Sequence, residues 1–134
     1  MANLTITNND IGSVVLERVG SADGTLQNAD TDDPVTFVEG TILARHSSDG
    51  KYYPFDPAGS NGLNAAKAVL TYEVTVAANS GAAVTVLTAG KVNSRRLVIH
   101  GGTTITAAHL DQLRDYSITP IDVKQLGQID NPQA

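Results

Sequence analysis

The sequence predicts a small, mainly β domain of the α+β class, sandwich-like or barrel-like, with one late α-helix and an extended N-terminal arm. Short apolar runs that alternate with polar residues recur from residue 34 onward, and Gly, Asn and Asp residues separate them. Only one segment, near residues 106–117, has leucines at helical spacing. The 41% of apolar residues include two Phe and no Trp, which is typical of thin β packing.

Residues 1–33 are predicted to form an arm in front of the domain. Two short β-like runs, Leu4–Thr7 and Val14–Val19, lie among polar, turn-forming residues. The second half of the segment contains four Asp and little to bury, and such a segment orders poorly alone. The same residues also fit an ordinary first hairpin of the domain, and the sequence leaves both interpretations open. The β-rich domain is expected over 34–130, with a loose tail at 131–134.

The strands of the domain follow one another from Pro34. The segments VTFVEG and TILARH are short strands, and SSDG between TILARH and the next strand is a tight turn, because Asp-Gly supplies the positive φ that a hairpin needs. The segment KYYPFDP is extended and either lies at a sheet edge or leaves the sheet, since its prolines cannot donate to a ladder. Further strands are predicted in AKAVLTYEVTVA, AVTVLTAGKV and RRLVIHGG.

The predicted helix is TAAHLDQLRDYS. Thr106 is a suitable N-cap, and Leu110, Leu113 and Tyr116 form its apolar stripe. Pro120 prevents the helix from continuing, so IDVKQLGQI is predicted to be a closing strand.

Composition excludes several kinds of function. The chain has no Cys, which rules out disulfides and thiolate metal sites. Its formal charge is −5 and its only close cation pair is Arg95-Arg96, so we expect neither nucleic acid nor an anionic membrane surface as a partner. The N-terminus has neither the basic nor the apolar region of a signal peptide. We expect the chain to remain in the cytosol where it is made, or to leave it inside something larger.

The cluster His46, Ser47 and Asp49 is the one stretch that resembles catalytic chemistry. A nucleophile, base and orienting group must converge in space, whereas neighbours in a hairpin turn point to different sides. His100 and His109 lie in no metal-ligand pattern, and DTDD lacks the Gly that a calcium loop requires at its sixth position. The sequence therefore predicts no enzyme, with no catalytic residues, cofactor or metal site.

The order of motifs resembles the bacteriophage head decoration family, which includes the lambda head protein D. The segment GTILARHSSDGKYYPFDPAGSNG, then AKAVLTYEV, a Val-rich strand and the late helix carry the resemblance, over about residues 35–123. The chain departs from the family pattern at Tyr116-Ser117-Ile118, where members often have a Gly-Ile step.

The resemblance implies a structural protein of the virion. Members bind as homotrimers to the outside of an expanded capsid, at threefold and quasi-threefold positions, and cement the major coat protein subunits. Their N-terminal arm can order against the coat. The implied candidates for capsid binding in the arm are Leu4, Thr5, Ile6, Val14, Val15 and Leu16. Tyr52, Tyr53 and Phe55 are candidate interface aromatics, with burial in the protein's own core as the alternative for at least one of them.

Two other classes stay open at this point. Another phage structural part, such as a tail-tube, head-completion or fibre-base protein, would share this composition but form rings or tubes. A small cytosolic binding domain or enzyme would need a pocket that no motif in the sequence indicates.

Overall fold

The computed structural model describes residues 14–122. The strands are β1 (Val15–Gln27), β2 (Val35–Phe37), β3 (Ile42–Arg45), β4 (Tyr52–Pro54), β5 (Ala68–Leu70), β6 (Val74–Val76), β7 (Gly81–Asn93) and β8 (Ile118–Ile121). Within this range there is one 3₁₀ turn, Ser94–Arg96, and one α-helix, α1 (Ala107–Asp115). The mainly β fold with a late helix is thereby confirmed. No helix in 14–122 is long and apolar enough to cross a membrane.

Five of the strands close into a small barrel. The two long strands β1 and β7 pair antiparallel over almost their whole length, and β7 also pairs with β5. The order continues through β3 to β4. The ring closes where β4 meets β1 in parallel, with Leu26 opposite Tyr52. Outside the ring, β8 runs parallel to the second half of β7, and β2 and β6 form a separate two-stranded sheet.

The core is divided into two clusters by this arrangement. Leu113 of α1 and Ile118 of β8 belong to the first cluster, so the helix closes one side of the barrel. Phe37 of β2 and Val76 of β6 belong to the second, so the two-stranded sheet packs over another side. The largest side chains that are fully buried are Phe37, Phe55, Leu26, Ile42, Leu43, Leu70, Leu87, Ile99, Leu113 and Ile118.

Residues 15–27, within the segment for which the sequence left an arm and a first hairpin open, form strand β1 of the barrel. Much of the strand is polar and only Leu26 is buried, but the long partner β7 satisfies its backbone on one side. Gly24 lies so close to the Tyr52 ring that an added Cβ would come within 2.6 Å of the ring atom Cε2. The glycine is therefore a packing feature of a strand, not the sign of a mobile segment. Residues 1–13 lie outside the described range.

Two other predicted strands also differ. RRLVIHGG begins with the 3₁₀ turn and continues with a single parallel bridge between Thr41 and Val98. AKAVLTYEVTVA contains two strands, β5 and β6, that belong to different sheets. The chain changes sheet around Tyr72, which is 43% exposed. The closing strand starts at Ile118, earlier than predicted, and Pro120 is tolerated because β8 is the last strand of its sheet. Residues 123–129 of the predicted strand lie outside the described range.

Candidate functional site

The turn between β3 and β4 contains the cluster His46, Ser47 and Asp49. It is closed by two backbone hydrogen bonds, from His46 N–H to the Lys51 carbonyl (2.9 Å) and from Gly50 N–H to the His46 carbonyl (3.0 Å). Gly50 has a φ of +70°, the left-handed conformation that Asp-Gly was predicted to supply. Asp49 accepts the Lys51 N–H at Oδ1 (2.9 Å) and the Tyr53 hydroxyl at Oδ2 (2.9 Å).

These contacts leave the cluster without a nucleophile and base in contact. His46 Nδ1 accepts the backbone N–H of Ser48 at 3.1 Å, and lies 3.9 Å from Asp49 Oδ1. The Lys51 N–H holds the pKa of Asp49 below its ordinary value, with a smaller contribution from Tyr53. Desolvation raises the pKa of the Tyr53 hydroxyl, and its bond to Asp49 adds to that. The groups stabilise a turn. Among residues 14–122, no group of three His, Asp or Glu side chains is arranged to hold a metal ion.

The three candidate interface aromatics occupy different positions. Tyr52 is 6% exposed and Phe55 is 2% exposed, so both pack inside the protein's own core. Tyr53 is half-buried, and its ring centroid lies 5.3 Å from that of His46. Of the three, Tyr53 alone offers much surface to a partner.

The candidate capsid-binding residues of the arm also differ in their surroundings. Val14 is fully buried, and its backbone is anchored on both sides: its N–H donates to Glu39 Oε2 at 3.2 Å, and its carbonyl accepts the Asn93 N–H at 2.8 Å. Val15 and Leu16 are partly buried in β1. Leu4, Thr5 and Ile6 lie outside the described residues.

An exposed apolar pair forms a surface that the sequence did not single out. Val38 is 41% exposed and Val98 is 37% exposed. They line one shallow cavity of about 440 Å³ together with four charged residues, Glu39, Glu73, Arg95 and Arg96. We call these six residues the valine surface. A signal was present in the alternation of RRLVIHGG, because Leu97 and Ile99 share one face of an extended segment and Val98 points the other way.

Both ends of the described chain lie at the valine surface. The entering residue, Val14, is bonded to Glu39, and the last described residue, Asp122, accepts a hydrogen bond from Arg95 Nε at 2.7 Å. Residues 1–13 and 123–134 therefore both join the fold next to the exposed valines.

A protein-family model matches the part of the chain that forms the barrel. The family model described as "Bacteriophage lambda head decoration protein D" matches residues 17–118, from β1 to the first residue of β8. No curated protein and no solved structure matches the chain significantly. The match covers well over half of the chain and runs through every strand of the barrel, and on this basis the chain belongs to the bacteriophage lambda head decoration protein D family.

Proposed function

We propose that this phage head decoration protein binds the outside of the expanded head at threefold and quasi-threefold positions and stabilises the shell against the pressure of packaged DNA. Its direct partner is the major coat protein, and it binds as a homotrimer. The role is structural, without enzymatic activity or a cofactor. The protein is made in the cytoplasm of the host bacterium and ends on the outer surface of the capsid.

The observation that carries this proposal is the position of the valine surface. Val38 and Val98 form an apolar centre, and the charged residues Glu39, Glu73 and Arg95 surround it. An apolar centre with a polar rim is the usual anatomy of a protein–protein interface. The segment 1–13 joins the fold at Val14, directly beside that centre. Because the segment begins beside the valine surface, both can contact the same coat subunits. Two linked contacts bind more tightly than either contact alone.

The mode of stabilisation follows from selective binding. A protein that binds the expanded shell and not the unexpanded one shifts the equilibrium towards the expanded state by mass action. At a free concentration of about 100 times Kd the shift is about 2.7 kcal/mol per site. Repetition of the same contacts around a threefold axis multiplies that effect. The net charge of −5 also disfavours binding to nucleic acid.

Co-sedimentation with coat-protein shells of the parent phage tests the proposal. Expanded and unexpanded shells are mixed with the full-length protein and with a variant that lacks residues 1–13, which keeps β1 and the barrel intact. We expect binding to expanded shells only, weakened by the truncation, and density at the threefold positions by electron microscopy. A thermal melt of the truncated variant serves as the control for folding. Absence of binding to either shell would overturn the proposal, and rings or tubes formed instead would favour a tail component.

A further inference from the structure

A basic depression lies at the turn between β3 and β4. Its volume is about 450 Å³, and the residues that line it are Arg45, His46, Ser47, Ser48, Asp49, Gly50, Gly62 and Lys67. Its one carboxylate, Asp49, already accepts the Lys51 N–H and the Tyr53 hydroxyl. Arg45 and Lys67 therefore stand against the single carboxylate of Asp49, and the depression keeps a net positive charge.

Neither cation is neutralised within residues 14–122. Arg45 donates from Nε to the Gly50 carbonyl at 3.0 Å, which fixes its position without cancelling its charge. Lys67 places Nζ 5.3 Å from the centre of the Tyr116 ring. The ion pairs in this range involve other residues. The depression thus presents two positive charges at defined positions, beside one carboxylate, to an anionic partner.

An acidic loop follows β1 and carries Asp30, Asp32 and Asp33, all exposed. Asp30 Oδ1 accepts the backbone N–H groups of Asp32 (2.9 Å) and Asp33 (3.1 Å), which keep its pKa below the ordinary value. The buried Asn28 amide holds the loop against the Val76 carbonyl at 3.1 Å. The loop therefore has a defined shape, and within the described range none of its three carboxylates forms an ion pair.

The depression and the loop lie at opposite ends of β4. Strands β1 and β4 run parallel, with Leu26 opposite Tyr52. The turn that forms the depression precedes Tyr52, whereas the acidic loop continues beyond Leu26 and reaches the far end of β4. Asp30 accordingly shares a cavity with Tyr53 and Pro54 and not with Arg45. Within one molecule the loop and the depression therefore belong to separate cavities.

We propose that the acidic loop of each copy docks into the basic depression of the next copy in the homotrimer. The inference rests on the trimer of the proposed function. A contact between two different patches is head-to-tail, and such contacts form a closed ring when the rotation between neighbours allows it. Copies with a net charge of −5 repel one another overall, so a local match of opposite charges selects one orientation. Added salt weakens the contact.

Charge reversal tests the pairing. Lys67→Glu and Asp32→Lys are each expected to lower the self-association constant by at least about tenfold, because each places like charges across the contact. The double variant carries both reversals, pairs opposite charges again, and is expected to recover most of the loss. Lys91→Glu is the matched control, since Lys91 is exposed on β7 and pairs with Glu17 at 3.4 Å. Sedimentation equilibrium at low salt measures the constants, and equal effects of Lys67→Glu and the control would contradict the pairing.

Cross-linking tests the proximity directly, because the natural chain contains no Cys. A variant with Asp32→Cys and Lys67→Cys is treated with a short bismaleimide, both in concentrated solution and on expanded shells. We expect covalent species that end at the trimer, and none from the control with Asp32→Cys and Lys91→Cys. Failure to form covalent species in both settings would overturn the inference.

The outcomes separate this inference from the proposed function. Loss of wild-type binding to shells, with cross-linked trimers still formed in solution, would contradict the proposed function alone. Normal shell binding by a wild-type trimer that Lys67→Glu leaves intact would contradict the inference alone. Loss of shell binding in Lys67→Glu, with the trimer intact, would assign the depression to the coat protein and overturn the inference.

Discussion

The phenolic hydroxyl of Tyr53 donates a hydrogen bond of 2.9 Å to Oδ2 of Asp49 and so ties strand β4 to the turn that precedes it. The other oxygen of Asp49 accepts the Lys51 N–H, also at 2.9 Å. One carboxylate therefore bridges the backbone of the turn and a side chain of the next strand. This bridge accounts for the Asp in a cluster whose composition resembles a catalytic site.

Replacement of Tyr53 by Phe is expected to raise the pKa of Asp49 part of the way towards its ordinary value. The larger cause of the lowered pKa, the Lys51 N–H, remains in the variant. Because the folded-state pKa lies below the unfolded one, Asp49 stabilises the fold above its unfolded pKa, and this contribution is lost as the pH falls through the folded pKa. NMR titration of the carboxyl carbon measures the shift. An unchanged Asp49 pKa would contradict the bridge, and Tyr116→Phe is the control.

Asn28→Asp is expected to destabilise the protein by about 3 kcal/mol. Asn28 is 2% exposed, and its Nδ2 donates to the carbonyls of Asp33, Val76 and Ala77 at 3.0–3.2 Å. A carboxylate there would face three acceptors without a donor of its own. Chemical denaturation at neutral pH measures the change. Asn64 is exposed, so Asn64→Asp makes the same chemical change as a control and is expected to cost little stability. Equal losses of stability in the two variants would contradict this account.

Local chemistry explains what the sequence predicted correctly. The Asp-Gly turn is present with Gly50 at positive φ, and the helix buries Leu113 as its spacing required. These features depend on neighbours within one turn of chain. The fold class follows from them, because strands separated by turns with one late helix leave few other arrangements.

Long-range pairing explains what the sequence did not predict. β1 owes its order to β7, which begins more than fifty residues later, and no local pattern in its polar sequence announces that partner. The valine surface is likewise formed by three parts of the chain, residues 38–39, 73 and 95–98, that meet only in the fold. The burial of Tyr52 and Phe55, but not of Tyr53, is also a long-range effect. It depends on the closure of the barrel, where Leu26 pairs with Tyr52.

Gly40→Ala is expected to destabilise the protein by about 3 kcal/mol. Gly40 has a φ of +94°, and a Cβ there would collide with the backbone carbonyl oxygen of Arg96, which cannot move away cheaply. Gly101 has a similar φ of +98°, but an added Cβ would have no atom within 4 Å. Gly101→Ala is therefore the matched control. It is expected to lose only the stability that a non-glycine residue costs in the left-handed conformation, about 1 kcal/mol. Thermal and denaturant unfolding compare the two, and equal losses would contradict the close approach.

Val38→Asp and Val98→Asp are expected to lower binding to expanded shells by at least about tenfold, with little change in thermal stability. Both residues are partly exposed and neither belongs to a core cluster, so the substitutions leave the core packing in place, but they put a carboxylate in the apolar centre of the valine surface. Val19→Asp is the control, since Val19 is 69% exposed and lines a different cavity from that surface. Co-sedimentation measures all three variants. If Val19→Asp weakened binding as much as the other two, charge alone would explain the loss and the valine surface would not be the coat contact.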